Sequence, residues 1–342
     1  MQIFKSKEKL ENSIKNHNKA VHIMDDWMRD PFITIGPDKK YYLTCTQIEN
    51  ETDSQGAPVW KSDDLANWNF IGFPYQLKQA SNYNEYNKII KERNRTVWKE
   101  KNNPLRIWAP ELHYINKRWV LTHTSNAGLG NVVLYDGQNL TEPVADWGSD
   151  FNRHHDPTFF VDDDGCIYLG AKCARISKVK SDLSGFEGEP LKIWPSDRKL
   201  GHEGVCLIKF EKKYVLFGTA WSTDQMRKGT YNLYYCTADR VNGPYNERKF
   251  AGRFLGHGTV FKDLEGRYWC TAFYNANKPV LSGEESLTAD VSDTAYTINK
   301  QGLTLVPMEI KMNDGDVLVT AKDKYYKNPG KEEVQSFEKK IS

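Results

Sequence analysis

Four titratable residues occupy the same place in a phrase that recurs five times along the chain. Asp30, Asp156, Glu203 and His257 each stand directly before a Pro or Gly that opens an apolar run, a turn and a second apolar run. In the remaining copy the place belongs to Ala109. Side chains at one register position of neighbouring inner strands point to one axis, so we predict a pocket with three acids, a histidine and space for a ligand.

Three acids in one pocket suit the hydrolysis of a glycosidic bond. That reaction needs one carboxylic acid to protonate the leaving oxygen and one carboxylate to activate water or to attack the sugar. A third, ionised carboxylate would raise the pKa of the acid by disfavouring a second negative charge nearby. A lone Asp before Pro is more often a turn residue, but equivalent turns would accept Asn, Ser or Gly equally well.

The recurring phrase also predicts the elements that hold these residues, because each copy reads as two strands joined by a short turn. From the Pro or Gly to the end of the second apolar run there are 12, 11, 12, 12 and 12 residues, which indicates one shared register. The five markers are 79, 47, 47 and 54 residues apart. Since about 40 to 50 residues form one four-stranded propeller blade, we predict an all-β protein, a five-bladed β-propeller.

This propeller accounts for the chain as a single catalytic domain. We expect blades at about 27–103, 104–150, 151–198, 199–250 and 251–315, an N-terminal arm over 1–20 and a solvated C-terminal tail over 322–342. The long first unit contains an extra segment, roughly Gln76 to Asn103, that should rim the pocket. A solvated surface loop is the alternative for this segment.

Composition and motifs argue against several classes of partner and cofactor. A net charge of +2 from scattered basic residues provides no electrostatic case for nucleic acid. No apolar stretch approaches the ~18 residues that cross a bilayer. The glycine motifs that bind phosphate or a dinucleotide are absent, so the sequence does not indicate an organic cofactor. Six cysteines without zinc-ligand spacing, and no apolar signal core, favour a cytoplasmic protein, or a periplasmic or secreted one if a signal has been removed.

Four phrases of the sequence resemble the motifs of glycoside hydrolase family 43 and its near relatives, which are inverting enzymes on five-bladed propellers. The phrases are WMRDPFI, RIWAPEL, HHDPTFFVDDDGCIYL and GHEGVCLIKFEKKYVL, and the resemblance spans roughly residues 24 to 275. It implies that Asp30 is the general base and Glu203 the general acid. Asp156 would then raise the pKa of Glu203 and orient it.

The resemblance also implies residues that bind the substrate. Trp108 matches a tryptophan that walls the sugar pocket, with core packing as the alternative. His257 matches a histidine near a water or metal ion, so no cofactor is required but a structural Ca²⁺ in the central channel is allowed; the alternative is a neutral histidine bonded to a strand carbonyl. Glu111 should face the channel one step deeper, and Arg29 and Trp221 complete the predicted substrate-binding set.

Each of the three acids follows a cationic or titratable residue, namely Arg29, His155 and His202. Strand alternation places these side chains at the inner edges of the sheets rather than against the substrate. The alternative is that they, or Arg153 and His154, bind an acidic sugar.

We therefore expect an inverting exo-glycosidase that acts on plant-derived oligosaccharides or polysaccharides from a blind pocket. The resemblance favours release of L-arabinofuranosyl or D-xylosyl units, while galactosyl and acidic sugars stay open. Two alternatives remain at this stage. One is a non-catalytic carbohydrate-binding propeller, and the other is a glycoside phosphorylase, which cationic residues at the pocket mouth would favour. The sequence does not indicate the oligomeric state.

Overall fold

Five antiparallel β-sheets surround a central axis in the computed structural model of the chain. The structure describes residues 2–47, 55–98, 103–151, 154–173 and 175–333, with side chains from residue 8 onward. Neighbouring sheets contact each other around the ring. Thr271 of the fifth sheet closes it by donating a hydrogen bond to the carbonyl of Pro31 in the first, at 2.6 Å. The predicted five-bladed β-propeller is confirmed.

The first four blades each contain four strands that follow one another along the chain, after an N-terminal strand β1 (Val21–Met24). Blade 1 contains β2 (Arg29–Ile35), β3 (Tyr41–Thr46), β4 (Gly56–Ser62) and β5 (Trp68–Gln76). Blade 2 contains β6 (Ile107–Ile115), β7 (Arg118–Ser125), β8 (Asn131–Tyr135) and β9 (Pro143–Asp146). Blade 3 contains β10 (Thr158–Val161), β11 (Ile167–Ala171), β12 (Arg175–Val179) and β13 (Leu191–Lys192). Blade 4 contains β14 (Glu203–Phe210), β15 (Lys213–Trp221), β16 (Gly229–Ala238) and β17 (Lys249–Gly252).

The fifth blade joins segments that are far apart in sequence. Its strands are β18 (Val260–Lys262), β19 (Tyr268–Ala272), β21 (Leu303–Asn313), β22 (Asp316–Ala321) and β1, while β20 (Ala295–Tyr296) pairs in parallel with β16 of blade 4. Strand β1 pairs with the first residues of β21, and β22 pairs with its last residues. The sequence-based bounds left β1 outside this blade, because no local pattern marks the pairing that closes a ring.

Apolar side chains fill the space between each pair of neighbouring blades, in five separate clusters. Helix α1 (Gln2–Asn16) adds Ile14 to the cluster between blades 5 and 1, so the predicted N-terminal arm is a helix that packs on the propeller. All six cysteines are free thiols, and five of them are buried. Among the described helices, none is long and apolar enough to cross a membrane.

The same backbone irregularity occurs at the head of all five inner strands. One residue in the left-handed region of φ stands there in each blade, namely Asp30 (53°), Ala109 (43°), Asp156 (45°), Gly204 (66°) and His257 (55°). A left-handed φ costs a non-glycine residue on the order of 1–3 kcal/mol and persists where the surrounding structure enforces it. The repeat therefore aims these residues at the axis at the expense of local strain.

Glu203 is one residue out of the register that the sequence predicted. It lies opposite Thr219 just before the strand register shifts, as Trp108 lies opposite Thr124 in blade 2, so Gly204 is the equivalent of Asp30. The spacing of 12 residues, counted from Gly204 to the end of the second apolar run, hid this difference, because the hairpin of blade 4 is shorter. Only two residues separate the paired ends of its first two strands. Five residues separate those ends in blades 1, 3 and 5. The longer side chain of Glu203 still reaches the axis from this upstream place.

The extra segment of the first unit forms helix α2 (Tyr83–Thr96). Tyr86 and Ile90 are buried in the cluster between blades 1 and 2, and the Tyr86 hydroxyl donates to the carbonyl of Gly130 at 2.9 Å. None of the segment's described residues lines the axial cavity, and residues 99–102 lie outside the described chain. The part of the segment that the structure describes covers blade 2 instead of rimming the pocket.

The C-terminal region is not a solvated tail over the part that the structure describes. After helix α3 (Gly283–Thr288) and strand β22, helix α4 (Lys324–Lys327) buries Tyr326. Glu332 then pairs with Arg253 of blade 4 at 2.8 Å, with side-chain exposures of only 4% and 3%. Breaking a buried pair of this kind leaves an uncompensated charge and is strongly destabilising. Residues 334–342 lie outside the described chain.

Candidate active site

A cavity of about 260 Å³ opens on the axis at the end of the propeller where the inner strands begin. Residues from the heads of all five blades line it: Arg29, Asp30, Thr46, Trp108, His155, Asp156, Glu203 and His257. The structure thus brings the three acids and the histidine of the recurring phrase into one small volume.

Asp30 has a partner for each of its carboxylate oxygens. Thr46 Oγ1 donates to Oδ2 at 2.8 Å, and the backbone N–H of Ala109 donates to Thr46 Oγ1 at 2.7 Å. His257 Nδ1 lies 3.1 Å from Oδ1. The alanine of blade 2, which the sequence predicted only to leave space, therefore helps to orient Asp30 through its backbone.

Glu203 lies across the cavity, between a tyrosine and a histidine. The Tyr231 hydroxyl donates to Oε1 at 2.7 Å, and His155 Nε2 lies 3.3 Å from Oε2. Burial alone would raise the pKa of Glu203, but the hydrogen bond from His155, the charge of His257 and the bond from Tyr231 lower it to about 2. The Glu203 side chain is 31% exposed, so solvent reaches it from the cavity.

Asp156 is the most deeply buried of the three acids, with 5% of its side chain exposed. Burial raises its pKa to about 6, against the opposing charges of His257 and His155. Its Oδ2 atom has no hydrogen-bond partner among the described residues, although His155 Nε2 lies 3.4 Å away. The hydrogen bond with Glu203 raises the pKa of His155, against the effect of its burial, and so favours a protonated imidazole between the two acids.

The acid whose pKa is raised in this cluster is Asp156 rather than Glu203. The sequence predicted the opposite, namely that Asp156 raises the pKa of Glu203. The reason is the local environment. Three donor groups favour the ionised form of Glu203, whereas Asp156 lies in a nearly dry position with a free oxygen.

His257 is a cation in this structure, not the neutral, carbonyl-bonded histidine of the alternative prediction. Burial would lower its pKa, but the charges of Asp30, Asp156 and Glu203 raise it to about 9. Its Nδ1 faces Asp30 at 3.1 Å, and its Nε2 faces Asp156 at 3.7 Å.

The Ca²⁺ that the family resemblance allows in the channel stays a prediction. Among the described residues, His155, Asp156 and Glu203 bring three donor atoms within 4.8 Å of one another. Ca²⁺ takes six to eight oxygen ligands, which include water molecules, so two carboxylates and an imidazole could supply only part of its shell.

The other predicted substrate-binding residues divide into two groups. Trp108 and Arg29 line the cavity as predicted. Trp221 is only 3% exposed and stacks on the ring of Tyr231 at 4.7 Å, so it supports the wall from behind. Glu111 lies below the cavity, where it contacts His113 at 2.9 Å. His155 lines the cavity against the preferred prediction, which placed it at a sheet edge.

His154 and His202, the remaining described residues of the acidic-sugar alternative, do not line the cavity. His154 bonds to the carbonyl of Phe151 and stacks on the Phe151 ring, and Arg153 lies outside the described residues.

Sequence reasoning missed the residues that hold the acids. Thr46 and Thr219 occupy one position on the second strands of blades 1 and 4, and Thr124 occupies it in blade 2. Thr46 bonds to Asp30, while Thr219 bonds to the Glu203 carbonyl and to the Tyr231 hydroxyl. The signal was present in blades 1, 2 and 4, because the second apolar run of each continues to a threonine at this place. Tyr231 follows a loop in blade 4 and had no such signal.

The comparisons with known proteins agree with this geometry. A propeller with three carboxylates around an axial cavity is typical of a class of glycoside hydrolases, and the family model described as glycosyl hydrolases family 43 matches residues 23–191. This match and the fold identify the chain as an enzyme of the glycoside hydrolase class that acts on a carbohydrate. No curated protein matches the sequence.

Solved structures share the fold at low sequence identity. A bifunctional GH43-CE protein of Bacteroides eggerthii has a TM-score of 0.59 and 21% identity, over 87% of this chain but only 35% of its own. An endo-1,4-beta-xylanase of Bacteroides thetaiotaomicron has a TM-score of 0.55 and 19% identity, over 88% and 96% of the two chains. An alpha-L-arabinofuranosidase of Clostridium thermocellum has a TM-score of 0.52 and 18% identity, over 85% and 93%. The chain thus spans about a third of the bifunctional protein.

Proposed function

We propose that this protein is an inverting exo-glycoside hydrolase of plant-derived oligosaccharides or polysaccharides. It would release L-arabinofuranosyl or D-xylosyl units. One observation carries the proposal: Asp30 and Glu203 line the same cavity, with His257 Nδ1 3.1 Å from Asp30 and 4.0 Å from Glu203. A xylanase and an arabinofuranosidase among the structural neighbours support the choice of pentose units.

Asp30 is the general base of the proposed reaction. Thr46 and the His257 imidazolium hold its carboxylate, so one oxygen can accept the proton of a water molecule as that water attacks the anomeric carbon. Attack from the side of Asp30 displaces the leaving oxygen toward Glu203. A single displacement of this kind inverts the configuration of the anomeric carbon.

Glu203 is the general acid, and it must first receive a proton. The His155 N–H lies between Oδ2 of Asp156 and Oε2 of Glu203, at 3.4 and 3.3 Å, so it can pass its proton to Glu203. A sugar in the cavity displaces water from Glu203, and loss of water raises the pKa of a carboxyl group. Protonated Glu203 then donates to the leaving oxygen, which departs as an alcohol.

The size of the cavity supports action at a chain end. A volume of about 260 Å³ is below the ~300–1,000 Å³ of typical ligand pockets. Such a cavity suits one terminal sugar unit better than a bound internal stretch of polysaccharide. Trp108 provides an aromatic face for the C–H side of that unit.

Product analysis tests this proposal. The protein is incubated with nitrophenyl glycosides of arabinofuranose, xylose and galactose and with plant oligosaccharides, and the first anomer released is read by NMR. We expect monosaccharide release from the non-reducing end, with the anomeric configuration opposite to that of the substrate. Retention of configuration would contradict the single displacement. Release of oligosaccharides from internal positions would contradict the exo assignment.

A further inference from the structure

Two arginines meet on one side of the cavity mouth without a carboxylate partner. Arg29 stands at the start of β2 and lines the cavity. Arg227 belongs to the loop between β15 and β16 and lies beside Arg29, just outside the cavity lining. Arg29 Nη2 donates to Oδ1 of Asn275 at 3.3 Å, and Arg227 Nη1 donates to the same oxygen at 3.1 Å. The two guanidinium groups are therefore held side by side by one neutral amide.

The hydrogen-bond partners of both arginines are neutral, although the negative charge of Glu203 acts on Arg227. The second nitrogen of Arg227 bonds to Oδ1 of Asn277 at 2.9 Å, and both guanidinium groups lie near aromatic rings. Neither forms an ion pair with a carboxylate of the described residues. By contrast, Arg253 is paired with Glu332 at 2.8 Å.

The pair is costly to hold in this state, which argues for a ligand. Burial and the charge of Arg29 lower the pKa of Arg227, against the opposing charge of Glu203. His155 and His257 bring further positive charge to the cavity, which Asp30, Asp156 and Glu203 also line. Guanidinium groups bind carboxylates in a bidentate manner, and two of them side by side fit a planar anionic group.

We propose that Arg29 and Arg227 form a subsite for the carboxylate of a uronic acid unit, so that the preferred glycan is acidic. This inference rests on the proposed function, because it names the substrate class of the same cavity. Blades 1, 4 and 5 supply the subsite, while Trp108 and His155 line the cavity from blades 2 and 3. The carboxylate of the uronic acid would lie on the side of the cavity opposite Trp108, next to the sugar unit that stacks on the Trp108 ring.

Calorimetric titration of the whole protein tests the subsite without turnover. D-glucuronate and D-galacturonate are compared with the matched neutral sugars D-glucose and D-galactose. We expect at least tenfold tighter binding of one uronate than of its neutral counterpart, and a weaker preference as salt is raised. Equal affinity for the acid and the neutral sugar would overturn the proposal.

Two variants and one matched control locate the effect. Asn275→Asp keeps the shape of the side chain but places a carboxylate between the guanidinium groups, and Arg227→Gln removes one of them. Both should reduce the preference for uronate at least tenfold. Arg240→Gln, at an exposed position beyond the other end of β16, should leave it unchanged. An unchanged preference in both Asn275→Asp and Arg227→Gln would place the anion elsewhere.

Inorganic phosphate is the competing ligand for such a pair. Wild-type protein is assayed on neutral and acidic glycosides with and without phosphate. Phosphate-dependent turnover that yields a glycosyl phosphate would overturn the carboxylate assignment. Hydrolysis of neutral glycosides without any preference for uronate would contradict the carboxylate subsite but support the proposed hydrolase function. A preference for uronate without hydrolysis of any glycoside would support the carboxylate subsite but contradict the proposed hydrolase function.

Discussion

The heads of blades 1 and 4 present two facing acids in different ways. Asp30 stands at the left-handed position of its strand, and its partners are a threonine, a backbone N–H acting through that threonine, and an imidazolium. Glu203 stands one residue earlier in its strand, and its partners are Tyr231 and His155. The Asp30 side chain is 11% exposed and that of Glu203 is 31% exposed.

Both groups change protonation in each cycle, because the base gains a proton that it must release and the acid loses one that it must regain. Each has a histidine within reach for this exchange, His257 for Asp30 and His155 for Glu203. The difference lies in how they are held. Asp30 is fixed by backbone geometry, a short side chain and the bond from Thr46, whereas the ionisation of Glu203 depends on several neighbouring side chains.

Replacing Asp30 with Asn is expected to have the largest effect. The variant keeps the shape and the bond from Thr46 but has no carboxylate to take a proton from water. We expect kcat to fall by about 10³ to 10⁴, at the upper end of general acid–base contributions. The loss should be similar for good and poor leaving groups, because the base acts on water. A loss that shrinks with good leaving groups would exchange the roles of Asp30 and Glu203.

Replacing Glu203 with Gln should depend on the leaving group. We expect kcat on oligosaccharides to fall by about 10² to 10³, and kcat on dinitrophenyl glycosides to fall less than about tenfold. Dinitrophenolate leaves without a proton, so it does not need the acid. Equal losses on both substrates would show that Glu203 does not act as the acid, and circular dichroism checks that the variant is folded.

His257 links the two acids, and its replacement tests their shared electrostatics through stability. A pKa of about 9 in the folded protein means that the stabilising proton is fully bound below pH 6.5 and is lost as the pH rises through 9. Over that range the wild type should lose roughly 3 kcal/mol of unfolding free energy from this group.

His257→Gln should flatten this decline when melting temperatures are compared from pH 6 to pH 10. The double variant Asp30→Asn/His257→Gln is the control. The interaction between Asp30 and His257 is already absent in Asp30→Asn and in His257→Gln, so the second replacement should add little to this part of the pH dependence. Titrating groups outside this cluster affect all of these proteins alike, so the difference between the curves reports on the cluster. Asp156 contributes to that difference, because the charge of His257 holds its pKa down. Parallel curves for wild type and His257→Gln would contradict an imidazolium at this site.

Local sequence could predict the fold, Asp30, Asp156 and His257, because each stands in a phrase whose Pro or Gly and paired apolar runs are visible in one stretch. Glu203 was found for a reason that was partly wrong. The alignment treated Gly204 as a marker, whereas strand pairing makes it the equivalent of Asp30. A two-residue hairpin differs from a five-residue one by a small change of spacing that composition does not reveal.

The groups that tune the site could not be predicted in the same way. Tyr231 and Arg227 lie on or near the loop that joins β15 and β16, and Asn275 follows β19 in the next blade. Their approach to the cavity depends on how blades 4, 5 and 1 pack, which is a property of the closed ring. The recurring phrase contains only the first two strands of each blade, so it carries no information on these loops.

The smallest expected effect concerns the hydrogen bond that Tyr231 donates to Glu203. Removing the hydroxyl in Tyr231→Phe takes away one donor that favours the ionised form of Glu203, so the pKa of this acid should rise. An acid with a higher pKa stays protonated at higher pH. We therefore expect the alkaline limb of kcat/KM to move upward by about one pH unit, which corresponds to about 1.4 kcal/mol.

The comparison with a neighbouring tyrosine makes this last test specific. Tyr231→Phe keeps the ring that stacks on Trp221 at 4.7 Å, so the cavity wall should stay in place. Tyr234→Phe, on the same strand, removes a hydroxyl that bonds to Glu333 outside the cavity, and it should leave the pH profile unchanged. A shift of the alkaline limb toward lower pH in Tyr231→Phe, or an equal shift in both variants, would mean that the donors around Glu203 do not set this limb of the pH profile. The contrast between a fixed base and a tuned acid would then fail at its second member.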